Sequence, residues 1–63
     1  MNGRYAEINF DGERWNVILF DTVMDENQKP LNFARSEQEF AKFGEPAFQL
    51  YVYRWCLEGV VTL

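Results

Sequence analysis

The side chains of this 63-residue chain that could do chemistry are ten carboxylates, one thiol and a set of aromatic rings. The carboxylates are Glu7, Asp11, Glu13, Asp21, Asp25, Glu26, Glu37, Glu39, Glu45 and Glu58. Two acids facing each other across strands can serve glycoside hydrolysis. Here, however, the acids fall mostly where turns and helix caps call for solvated polar residues. There is no histidine, which removes the usual general base at neutral pH. Asp25-Glu26-Asn27 has the polar density of a calcium loop, but Pro30 stands where that loop needs glycine and the terminal glutamate is missing. Cys56 is the single cysteine. It can form no internal disulfide and no zinc site, and within Trp55-Cys56-Leu57 it reads as a small buried hydrophobe. No glycine-rich phosphate loop is present. These residues point away from catalysis and call for no cofactor or metal.

The rings remain. Six Phe, three Tyr and two Trp are a heavy load for so short a chain. Tyr5, Tyr51, Tyr53 and Trp55 could stack unpaired bases, with Arg4, Arg14 and Arg54 near them in the sequence. The formal charge of −4 opposes that reading, because nucleic-acid binding is driven by Lys and Arg displacing counterions. Aromatic residues and arginine are also enriched at protein interfaces. A face made of Tyr5, Ile18, Phe20, Tyr51, Tyr53 and Trp55 therefore suggests a protein partner, or a second copy of the chain. Asp25, Glu26, Glu37 and Glu39 could add an acidic edge that mimics a phosphate backbone toward a basic groove.

Short strands must position these residues. From Arg4 to Phe10 the chain alternates, with Ala6, Ile8 and Phe10 on one side and Tyr5, Glu7 and Asn9 on the other, which is the period of a strand. Asp11-Gly12 predicts a two-residue type I′ turn into a return strand from Glu13 to Phe20. That register pairs Phe10 with Glu13, Ile8 with Trp15 and Ala6 with Val17, and it gathers Ala6, Ile8, Phe10, Trp15, Val17 and Leu19 on one face. Residues 25–30 form a polar turn cluster, followed by a short third strand at Leu31, Phe33 and Arg35. Ser36-Glu37-Gln38-Glu39 fits a capping box and predicts a two-turn helix from Glu37 to Phe43, stopped by Gly44 and Pro46 and burying Phe40, Ala41 and Phe43. Residues 47–57 read as a strand with Phe48, Leu50 and Val52 on the core side, and residues 60–63 as a brief closing strand.

The expected fold is a single α+β domain over residues 1–63. It has a small antiparallel sheet of three to five strands and one short helix on one face, in the order β-β-(β)-α-β. That order resembles many small bacterial and phage proteins, some of which inhibit host enzymes. The resemblance is one of architecture and implies an inhibitor or adaptor. At this size the balance between apolar burial and chain ordering is close to zero, so a dense aromatic core or self-association is needed. No apolar run is long enough to cross a bilayer, no secretory leader pattern is visible, and a lone cysteine suits a reducing compartment, so a soluble cytoplasmic protein is expected. One helix covers one sheet face, and the uncovered face is expected to bind.

Overall fold

The computed structural model describes residues 3–62. Three strands, β1 (Gly3–Phe10), β2 (Arg14–Met24) and β3 (Pro30–Ala41), precede one helix, α1 (Glu45–Glu58). The strands form an antiparallel sheet in the order β1-β2-β3, with β2 in the centre. The α+β class, the antiparallel sheet and the single helix on one face are as expected from the sequence. A third strand followed by the helix is also as expected; what differs is where β3 and the helix fall along the chain, and that no closing strand follows among the described residues.

The first hairpin keeps its faces and changes its register. Phe10 pairs with Trp15, Ile8 with Val17, Ala6 with Leu19 and Tyr5 with Phe20. Each partner lies two residues beyond the expected one. The connection is wider because the Asp11 carboxylate accepts hydrogen bonds from the Glu13 and Arg14 amides, both at 2.8 Å, while the Asp11 amide donates to the Arg14 carbonyl. Gly12 supplies the positive φ of 101° that this loop requires. A slip of two residues matches the side-chain period, so every residue stays on its assigned face.

The expected helix at 37–43 is instead the second half of β3. Ser36, Gln38 and Phe40 are half-buried, while Glu37, Glu39 and Ala41 are exposed, which is strand alternation. Pairing along the whole of β2 outweighs the local capping-box signal, since a two-turn helix has little stability of its own. A bulge at Arg35 lets Leu19 pair with Ser36 and Phe20 with Ala34. Residues 47–57 are likewise helix, not strand. Pro46 occupies the first turn of α1, where its missing N–H costs nothing. Gly59 ends the helix in the left-handed region at φ 70°, with the Gly59 and Val60 amides donating to Trp55 and Arg54 carbonyls. No strand forms at residues 60–62, and Leu63 of that expected strand lies outside the described residues.

The core is Val17 and Leu19 from β2 against Phe48, Tyr51 and Trp55 from α1, with Ala6, Trp15, Phe40 and Val52 packed around it. Rings link the sheet to the helix, Trp15 to Phe48 at 5.0 Å and Phe40 to Tyr51 at 5.7 Å between centroids, while Phe10 packs on Trp15 at 4.6 Å within the sheet. The Trp15 indole N–H donates to the Lys42 carbonyl and ties the exit of β3 to the start of β2. Leu50, expected in the core, points outward, and so does Phe43, expected on the buried side of a helix. Cys56, expected to be buried, is exposed. The molecule is flat and long, with Cα extents of 42 × 23 × 11 Å. Its radius of gyration of 12.8 Å exceeds the roughly 10.6 Å expected of a compact chain this long.

Candidate sheet-face interface

One sheet face carries the helix. The other carries no element among the described residues, and cross-strand pairing sets it out in rows about 7 Å apart. Phe20 of β2 stands between Tyr5 and Ala34, Ile18 between Glu7 and Glu37, and Asn16 between Asn9 and Glu39. The Tyr5 and Phe20 rings stack with centroids 5.1 Å apart and planes 14° from parallel. Tyr5 is exposed, and Ile18 and Phe20 are half-buried by their neighbours in the sheet alone. Beside this apolar centre, Asn16 Nδ2 donates to Glu37 Oε1 at 2.9 Å, and Arg14 lies 3.6 Å from Glu39. The face therefore has a ring pair and an isoleucine at its centre and three glutamates, Glu7, Glu37 and Glu39, along one half.

The six partner-binding residues expected from the sequence occupy three places. Tyr5, Ile18 and Phe20 share the open face. Tyr51 and Trp55 are core residues, 2% and 5% exposed, because residues 47–57 form a helix whose inner side takes them to the sheet. Tyr53 projects from the outer side of α1 and is 57% exposed. Trp55 still acts on the open face from behind. Its indole N–H donates to the Tyr5 carbonyl at 3.2 Å and to the Phe20 carbonyl at 3.0 Å, so it fixes the backbone that presents the stacked pair. The Tyr51 hydroxyl hydrogen-bonds the Ser36 hydroxyl and anchors β3 in the same way.

The expected acidic edge also divides. Asp25 is a turn residue whose carboxylate accepts from the Asn27 and Lys29 amides at 2.9 and 2.8 Å, and exposed Glu26 lies in the same turn. Glu37 and Glu39 lie on the open face, with Ile18 and Asn16 as their partners in β2. Met24, beside the turn, lies six positions along β2 from Ile18, which is about 20 Å of strand. Glu7, which the sequence reading did not single out, is the acid that joins Glu37. The corrected register is what reveals it, because the narrower turn would have placed Glu7 opposite Asn16.

A shallow polar cleft of about 280 Å³ lies between Gly3, Arg4, Asp21, Cys56 and Leu57. Its Arg4 is engaged elsewhere, donating to the Trp55 carbonyl and lying 5.8 Å from the Trp55 ring centroid. Among the described residues no three His, Cys, Asp or Glu side chains come together as a metal set, and no helix is long and apolar enough to cross a membrane. No protein-family model matches the chain, and neither a curated protein nor a solved structure shows detectable similarity to it.

Proposed function

We propose that this chain is a non-enzymatic protein-binding module, a small inhibitor or adaptor, which docks through the open sheet face. One observation carries the reading: among the described residues the three-stranded sheet has a helix on one side only, and its other side holds the Tyr5–Phe20 stack and Ile18 between two glutamates. Soluble domains rarely leave an apolar centre open without a use for it. The acids define the partner's chemistry as an apolar patch with basic residues beside it, since like-charged partners are repelled. The same acids disfavour the alternative of base stacking, because Glu7, Glu37 and Glu39 would oppose phosphates wherever Tyr5 and Phe20 met bases. The single thiol suits a reducing compartment such as the cytoplasm.

The test is affinity capture from the native host with the tagged chain, run beside Ile18→Arg and the double variant Glu7→Lys/Glu37→Lys. A specific partner should be recovered by the parent and lost with either variant while far-UV circular dichroism is unchanged. A partner retained equally by both variants would place the contact elsewhere.

A further inference from the structure

We propose that the outer edge of β1 is a docking edge, at which an extended segment of another protein adds as a fourth strand. The direction of the β1 main chain carries the inference. The Trp55 indole N–H reaches both the Tyr5 and the Phe20 carbonyl, at 3.2 and 3.0 Å, and these two residues face each other across β1 and β2. One donor can serve both only where the two carbonyls lie between the strands. The Asp11 amide, donating to the Arg14 carbonyl at the mouth of the hairpin, follows the same alternation. Main-chain groups of an antiparallel strand point alternately to either side. Residues 5, 7 and 9 therefore serve β2, and Arg4, Ala6, Ile8 and Phe10 turn their main-chain groups outward. Among the described residues none of these four makes a main-chain hydrogen bond to a segment outside the sheet.

Such an edge is a template for pairing, and natural sheets blunt it with proline, bulges or charge. The opposite edge of this sheet is blunted in all three ways. β3 begins at Pro30, which has no N–H, bulges at Arg35 and carries Glu37 and Glu39. β1 contains no proline and pairs with β2 without a bulge over its whole length. Ile8 and Phe10 are exposed on the helix side of that edge.

Charge decides the occupant. A second copy pairing its own β1 antiparallel over residues 4–10 would set Glu7 against Glu7 in the closer kind of cross-strand pair, where like charges are destabilising. A foreign strand with Lys or Arg opposite Glu7 and apolar residues opposite Ala6 and Ile8 meets the acid with a base and covers the exposed isoleucine. In strand addition the main-chain bonds supply affinity and the alternate side chains supply selectivity. The occupant is thus an extended peptide segment of alternating basic and apolar residues. This contact lies beyond the open face, because it uses the backbone of β1 and not the side chains of β2.

The probe is the peptide KVKVKVK, acetylated and amidated, titrated into the full chain labelled with nitrogen-15. Binding should have a Kd on the order of 1 mM. With about 5 mM peptide, hydrogen exchange at the Ala6 and Ile8 amides should slow roughly fivefold. In the expected pairing the valine amides of the peptide face β1 and the lysine amides face water. N-methylation of the valines should therefore weaken binding about tenfold or more, and N-methylation of the lysines should leave it within about twofold. Equal affinity of the two methylated peptides, which carry the same charge, would reduce the contact to electrostatics and overturn the proposal. Exchange at Ala6 and Ile8 that slows as the free chain is concentrated would give the edge to a second copy and overturn it too. Ile18→Arg should leave the titration unchanged, so failure of the open-face reading is distinguishable from failure of this one.

Discussion

Replacing Trp55 with phenylalanine tests whether the helix holds the open face from behind. Trp55 is 5% exposed and its indole N–H serves two carbonyls, those of Tyr5 and Phe20. Phenylalanine keeps a ring in the core and removes the donor. Leaving buried acceptors without their partner costs about 1–3 kcal/mol, and the smaller ring leaves a void worth about 1 kcal/mol. The expected loss is therefore about 2–4 kcal/mol. A chain of this length has a total stability of roughly 3–9 kcal/mol, so the variant should sit near the edge of folding. Urea denaturation followed by far-UV circular dichroism measures the loss, and Trp15 remains as an independent fluorescent probe. A fall in stability below about 0.5 kcal/mol would be less than one ordinary hydrogen bond. It would refute the idea that the indole N–H couples helix to sheet and leave the ring as mere filling.

Three further outcomes are expected. Gly59→Ala should cost roughly 1–2 kcal/mol in thermal denaturation, because φ is 70° and the new methyl group would stand 3.0 Å from Arg4 Cζ. Gln28→Gly should stabilise by about 0.5 kcal/mol in the same assay, since Gln28 holds φ at 61° in the β2–β3 turn, a conformation glycine adopts without steric cost. Asp11 should give acid sensitivity: the Arg14 amide first, and the Glu13 amide after it, hold its carboxyl below the ordinary value of 3.8. A lowered folded value stabilises the native state above the ordinary value and loses that effect as pH falls below it, so the stability gap between the parent and Asp11→Asn should close below about pH 4 in urea titrations taken from pH 6 to 2.

The parts of the fold that could be read from sequence are those where two signals agree. In the first hairpin, alternation from Arg4 to Phe10 and a turn at Asp11-Gly12 specify the same faces, and both Val17 and Leu19 reach the core as expected. The register was not legible in the same way. Asp-Gly suits a two-residue turn, but the Asp11 side chain can also close a wider loop, and only the partner strand decides between them. From Ser36 to Phe40 two signals compete, a capping box and an alternation of inward Ser36, Gln38 and Phe40 with outward Glu37 and Glu39. A long β2 offers hydrogen bonds to the whole of β3, and an isolated two-turn helix offers none across the sheet. Tertiary pairing therefore wins over local propensity.

The misreading of residues 47–57 has a physical cause that bears directly on the site. In an ordinary surface helix the polar residues mark the outer side and reveal the 3.6-residue period. Here the outer side is Leu50, Tyr53 and Leu57, as apolar as the inner side of Phe48, Tyr51 and Trp55, so the helical period is erased and alternate residues look like a strand. Pro46 and Gly59, which bracket the segment at its first turn and its cap, were the signals that could have recovered it. The erased period is itself informative. A helix loses amphipathic contrast when its outer side is apolar as well, and on α1 that side leaves Leu50, Tyr53 and Leu57 exposed among the described residues. The aromatic surplus that the sequence displays is thus divided between two surfaces, the Tyr5–Phe20 centre of the open sheet and the Leu50–Tyr53–Leu57 ridge of the helix. Because these lie on opposite sides of a molecule 11 Å thick between Cα extremes, one partner lying on a single side cannot cover both. If Ile18→Arg abolishes capture of a partner while Leu50→Arg leaves it intact, the sheet face is the docking surface and the ridge takes no part in that contact.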